Sequence, residues 1–259
     1  MWRDGATLEP SLFRNPQSPI RNPREEGYAM RIAYVGPKSR EAALQAFVGP
    51  GVTVEARPHG KGPASIESMW EEYLSVPGLL EAVVELEREG FDAIVPGCFG
   101  DPGIDGAREL VTIPVLGPGA TSMLVAANLG HRFSVVTVLE NVIRPLENLA
   151  RLTGVEPKLA SVRQIGIPVL ELNADPDATF ERLLEVGRRT IEDDRADVLV
   201  LGCGTLSFRA AEAQAALGVP VINPLQVTLR FAELLVASGL SHSKRSHPVP
   251  PKLAIGALA

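Results

Sequence analysis

The chain of 259 residues repeats itself once, in register. Cys98 and Cys203 stand 105 residues apart, Pro114 and Pro220 stand 106 apart, and Arg31 and Arg132 stand 101 apart. Members of each pair occupy the same kind of place. The arginines open apolar runs, the prolines open shorter ones, and each cysteine follows an acid, an apolar run and a glycine, in "DAIVPGC" and "ADVLVLGC". An offset kept to within a few residues over such a length constrains the chain to two similar halves related by a pseudo-twofold axis.

Within each half, apolar runs of strand length alternate with helical stretches. Residues 31–36, 92–97, 113–117, 132–138, 197–202 and 219–224 read as strands. Residues 105–110, 120–130, 209–218 and 225–239 read as helices, Gly130 closing the second. A further helix spans 77–90, with Pro77 near its start and Gly90 after its end. Another spans 177–194, with Glu181, Arg182, Glu185, Arg188 and Arg189 on its wet face. The stretch 62–78 reads as a polar–apolar mixture broken by Pro and Gly.

Such alternation predicts parallel sheets joined by right-handed crossovers. The fold class is α/β: two pseudo-symmetric parallel-sheet lobes with the active site in the cleft between them. The first lobe takes 30–130 plus 225–259, with the last helix returning to it, and the second takes 131–224. Residues 1–29, rich in Pro, Arg and Asn, read as a disordered extension. Met30 is an alternative start, because it opens directly into a strand.

Composition narrows the function classes. A hydrophobic share of 45% suits one large or two small packed domains. A net charge of −6 argues against nucleic acid as a partner. No apolar run approaches the roughly 18 residues of a membrane span, and the N-terminus has no apolar core of signal-peptide length. Two cysteines without a secretion signal point to a reducing, cytoplasmic setting and free thiols. The expected partner is a small-molecule substrate, with neither nucleic acid nor membrane, and the chain is expected to form homo-oligomers.

In open parallel sheets, ligands sit beyond the carboxyl ends of the strands. Cys98 and Cys203 both lie there, just past a strand. A single such cysteine is most simply a small buried core residue, and a disulfide between the two is a second bland reading. Matching places in a repeat favour a shared role instead. If the lobes face each other, the thiols enter one cleft from opposite sides. Racemisation of a carbon acid needs that arrangement: a base on one face of the stereocentre and an acid on the other. Helix N-termini and backbone N–H groups lower a thiol's pKa. The turns "GCFGDPG" and "GCGTLS" also offer N–H groups to an enolate oxygen.

The segments "GPASIESMWEEYLSVPGLLEAV", "GCFGDPGIDGAREL", "LGHRFSVVTVL", "ASVRQIGIPVL", "VLVLGC" and "GLSHSKRSHPVPPK" resemble the hydantoin racemase and allantoin racemase branch of the aspartate/glutamate racemase superfamily. The resemblance covers about Arg31 to Lys252. It implies a cofactor-independent two-cysteine racemase with Cys98 and Cys203 as the catalytic pair.

Three stretches depart from that pattern. The branch commonly reads Asn-Pro-Asn after its first strand, where this chain has "VGPKS" with Gly36 and Lys38. The second cysteine is usually followed by Ala-Gly-Met, here by "GTLSF". The later strand usually ends in an acid, here in "VINP" with Asn223. All three are expected near the pocket, and Lys38 there favours a substrate more anionic than a neutral hydantoin.

The expected substrate-binding residues are Gly36, Pro37, Phe99, Gly100, Pro118, Thr137, Gly204 and Thr205. Thr137 reads equally as an ordinary strand residue, and Phe99 equally as core. Pro118 belongs to "GPGATS", a weak phosphate signal that reads as a strand-to-helix turn lining the cleft. Asp101 reads as shaping its turn or capping the following helix rather than tuning Cys98. His242 and His247 read as a solvated basic tail, not a metal site. No metal and no cofactor are expected. Two rivals remain: a one-cysteine decarboxylase or cis-trans isomerase of the same superfamily, and a binding module in which the cysteines are dispensable.

Overall fold

The computed structural model describes residues 29–58 and 60–251. The extension read over 1–29 lies outside the described residues except for Ala29. Two all-parallel sheets form the chain's frame. The first has the order β2-β1-β3, built from β1 (Met30–Val35), β2 (Val52–Arg57) and β3 (Ala93–Pro96). The second has the order β5-β4-β6-β7, built from β4 (Phe133–Thr137), β5 (Leu159–Gln164), β6 (Val198–Leu201) and β7 (Val221–Ile222). β1 and β4 hold matching central places, as do β3 and β6 beside them, so the protein is an α/β fold of two like halves. The acid that precedes each cysteine's strand does the same work twice. Asp92 accepts the N–H of Arg31 at 2.8 Å, and Asp197 accepts those of His131 and Arg132 at 2.9 Å.

Helices cover both faces of each sheet, which is why the central strands are near-continuous apolar runs. On the first sheet, α2 (Met69–Arg88) and α3 (Ile104–Leu110) bury Leu79, Val83, Ile104 and Ala107 against Ala33, Val35 and Ile94. The opposite face packs Ile32, Tyr34 and Val95 against Leu225, Leu229 and Val236 of α8 (Pro224–Ala237). On the second sheet, α4 (Pro118–Leu129) and α5 (Ile143–Leu152) cover one face, and α6 (Pro176–Glu192) and α7 (Ala210–Leu217) the other. α8 follows the second sheet's last strand yet packs on β1, β3 and α4. A short α1 (Glu41–Gln45) completes the set. Among the described residues, no helix is long and apolar enough to cross a membrane.

Three expectations need correction. α2 begins at Met69, not near Pro77, because Ser68 caps it: the Ser68 side chain accepts the N–H of Glu71, and the Glu71 carboxylate accepts the N–H of Glu67. Pro77 lies inside the helix on its exposed side, where the missing bond faces water. Residues 113–117 join the first sheet by a single bridge, Ile94 to Val115, since Pro114 has no N–H to give and Gly117 already opens α4. The 241–247 segment is docked rather than solvated. Lys244 Nζ donates to the carbonyls of Arg108, Glu109 and Val111 at the end of α3, and His242 Nε2 accepts the N–H of Val115 at 3.0 Å. Burial pushes His242 down to about 4, so it stays a neutral acceptor.

Candidate active site

The carboxyl ends of β1, β3, β4 and β6 open on one cavity of about 190 Å³. Its wall includes Gly36, Pro37 and Arg40 after β1, Cys98, Phe99 and Gly100 after β3, Thr137 at the end of β4, and Cys203, Gly204 and Thr205 after β6. Both thiols are free and partly buried. Each thiol follows a glycine that the neighbouring strand requires. A Cβ on Gly97 would lie 2.6 Å from the Tyr34 hydroxyl, and one on Gly202 would lie 2.8 Å from Val135 Cγ1. Only a glycine lets each turn pass the central strand closely enough to bring its cysteine to the cavity.

The electrostatics differ between the two turns. Burial pushes the Cys98 thiol up to about 12; a hydrogen bond from the Gly100 N–H opposes this, while the charges of Glu72, Asp101 and Cys203 add to it. Glu72 projects from α2 into the wall, and its carboxyl lies close enough that a Cβ on Gly100 would sit 2.3 Å from Oε1. Burial raises that carboxyl to about 7. Among the described residues no hydrogen-bond donor serves it.

On the other side, Arg40 Nη1 donates to the Tyr34 hydroxyl at 3.0 Å and Nη2 donates to Thr205 Oγ1 at 2.7 Å. Tyr34 is fully buried, and burial raises its hydroxyl above the ordinary value although Arg40 pulls the other way. It therefore remains a neutral phenol. Thr137 Oγ1 donates to the Gly202 carbonyl at 3.3 Å, tying the end of β4 to the Cys203 turn.

Several sequence expectations are relocated. Pro118 is buried at the first position of α4 and is not part of the wall, nor is the rest of "GPGATS". Asp101 shuts that helix end off: its carboxylate accepts the N–H groups of Gly119 at 2.9 Å and Ala120 at 2.7 Å. It thus caps α4, not the following helix α3, from a left-handed backbone at φ 56°. Burial raises its carboxyl to about 7 against those two donors. Lys38 pairs with Glu41 on the surface and is absent from the wall; the cation there is Arg40. Asn223 is likewise outside the wall. It caps α8, accepting the N–H groups of Leu225 and Gln226 at 3.1 Å and donating to Ser207 O. Phe99 is buried in the second sheet's core and also borders the cavity.

Sequence reasoning missed Tyr34, Arg40 and Glu72. Tyr34 was one apolar position in a buried strand. Glu72 follows the Ser68–Glu71 capping signature, which would have started α2 early enough to place Glu72 inside it. Arg40 ends a short turn, Lys38–Arg40, whose counterpart after β4, Glu140–Val142, ends in an apolar residue, so the repeat gave no sign of a cation there.

Fold and cavity together describe a parallel α/β enzyme of two like halves with a thiol from each at one site. The chain belongs to the Asp/Glu/Hydantoin racemase family, whose pattern it matches over residues 38–232, and as an enzyme it is a racemase, an isomerase. It is 41% identical to the hydantoin racemase of Pseudomonas sp. (strain NS671) over 192 residues, 74% of this chain and 77% of that one. It is 35% identical to the hydantoin racemase of Paenarthrobacter aurescens over 223 residues, 83% and 94% of the two chains. The solved allantoin racemase from Klebsiella pneumoniae superposes with a TM-score of 0.83 at 32% identity, over 86% of this chain and 95% of that one.

Proposed function

We propose that this racemase acts on a carbon acid of the hydantoin kind, a 5-substituted hydantoin, allantoin or related amino-acid derivative, using Cys98 and Cys203 as paired proton-transfer groups and no cofactor. The observation that carries the reading is that the two matched Gly-Cys turns, one from each sheet, line one cavity. The names of the relatives supply the substrate class.

The reacting C–H of such a substrate lies beside a carbonyl. One thiolate takes the proton from one face, and the electron pair moves into the carbonyl as an enolate. The N–H groups of the Gly-rich turns receive the oxygen's charge. The enolate then takes the other thiol's proton on the opposite face, giving the mirror-image product. One C–H bond breaks and one forms, nothing is oxidised, and thiol and thiolate have exchanged places. Exchange with solvent resets them. Burial makes Cys98 the resting acid.

Incubation of pure enantiomers of 5-substituted hydantoins, allantoin and amino acids in D₂O tests the reading. Loss of optical rotation together with α-deuterium uptake is the expected result. A binding module would give neither signal, and a one-thiol decarboxylase would release carbon dioxide without racemising.

A further inference from the structure

The cavity wall is electrically lopsided. Glu72 stands against the Cys98 turn, and Arg40 stands against the Cys203 turn, where a Cβ on Gly204 would lie 2.8 Å from Nη1. Arg40 is held by two neutral groups, the Tyr34 phenol and the Thr205 hydroxyl. A guanidinium has five N–H donors, and these contacts use two. Among the described residues no carboxylate forms an ion pair with Arg40. Tyr34 cannot supply the missing charge, because burial keeps its hydroxyl protonated. A fixed cation on the wall of a partly enclosed cavity, with donors to spare, is built to receive an anion.

We propose that Arg40 is a carboxylate-binding residue of this site, and that the preferred substrate carries a carboxylate on its substituent, as does the hydantoin of an acidic amino acid. This rests on the hydantoin-type racemase reading and deepens it. Tyr34 from β1 and Thr205 from the opposite half hold the guanidinium in place, so its planar fork is preset for two parallel bonds to a carboxylate. A neutral substituent would leave the charge without a counter-ion and gain none of these bonds. The alternative is that Arg40 serves the Cys203 thiolate instead of the substrate. The two ideas predict different things, since a partner of the thiol affects every substrate alike and moves the pH profile.

The test compares the hydantoin of glutamate with that of glutamine, whose side chains have nearly the same shape and differ by one charge. Racemisation is followed for the parent protein, Arg40→Thr and Arg40→Lys. The parent should favour the carboxylate in kcat/KM by on the order of tenfold or more. Arg40→Thr should bring that ratio near unity, and Arg40→Lys should keep most of it. Calorimetry with the C5-methyl analogues, which lack the C5 proton that racemisation removes, should show the same order in affinity. This binding arm separates the two readings. Carboxylate preference in binding without turnover of either hydantoin would reject the racemase substrate and keep the Arg40 subsite. Equal affinities, or a preference that survives Arg40→Thr, would overturn the subsite. So would an equal loss on both substrates with a shifted pH profile.

Discussion

Arg40 Nη2 donates to Thr205 Oγ1 at 2.7 Å across 165 residues of chain, tying the turn after β1 to the turn after β6. The bond clamps the two halves of the repeat at the mouth of the cavity. Thr205→Val keeps the side chain's shape but removes the acceptor, leaving a guanidinium N–H without its partner. The variant should lose about 1 kcal/mol of stability, read as a lower urea midpoint with an unchanged slope. An unaltered midpoint would show that water replaces the bond at no cost.

Glu72 carries a pH signature. Burial lifts its carboxyl from the ordinary 4.5 to about 7, so this group holds its proton more tightly in the folded than in the unfolded chain. Its contribution is fully present below 4.5 and is lost as pH rises through about 7. Glu72→Gln cannot ionise and escapes that loss. The variant should exceed the parent by about 2 kcal/mol at about pH 8 and match it near about pH 4. Urea titrations at the two pH values measure this; a difference independent of pH would contradict it.

Cys98 should be a slow nucleophile. With its thiol pushed from 9.0 to about 12, it carries on the order of a thousandfold less thiolate near neutral pH than an open thiol. In Cys203→Ser protein, iodoacetamide at about pH 8 should label Cys98 at least about a hundredfold more slowly than in the same chain unfolded in urea. Mass spectrometry gives both rates. Equal rates would mean that the turn leaves the thiolate well solvated.

Much of this was readable before folding, for identifiable reasons. β1, β3, β4 and β6 are covered on both faces, so each is a mostly apolar run, and the repeat places a cysteine after two of them. β2 and β5 are edge strands. Glu55, Arg57 and Arg163 sit on them, the first two paired with each other and the third with Asp194, which erases the apolar run. The start of α2 was hidden by Pro77, a helix breaker in most contexts but harmless on an exposed face. Tyr34, Arg40 and Glu72 reach the cavity from a strand, a turn and a helix that share no motif. Only the packing of β1, α2 and the Cys203 turn brings them together. Asp101 was read as a local turn residue because its partners, Gly119 and Ala120, lie a helix away in the chain.

The account stands on two thiols serving opposite faces of one stereocentre. A serine at either place keeps nearly the same volume, but its hydroxyl is far too weak an acid to work as thiolate does. Cys98→Ser and Cys203→Ser should each lose racemisation in both directions, because the reverse path runs the same two proton transfers in the opposite order and each direction needs both thiols. The remaining cysteine can still take the proton from the face it serves and return solvent deuterium there. α-Deuterium uptake into each pure enantiomer, followed by NMR for each variant, is the direct measurement. The account predicts that the two variants exchange opposite enantiomers. Exchange of the same enantiomer by both, or racemisation at the parent rate by either, would contradict it.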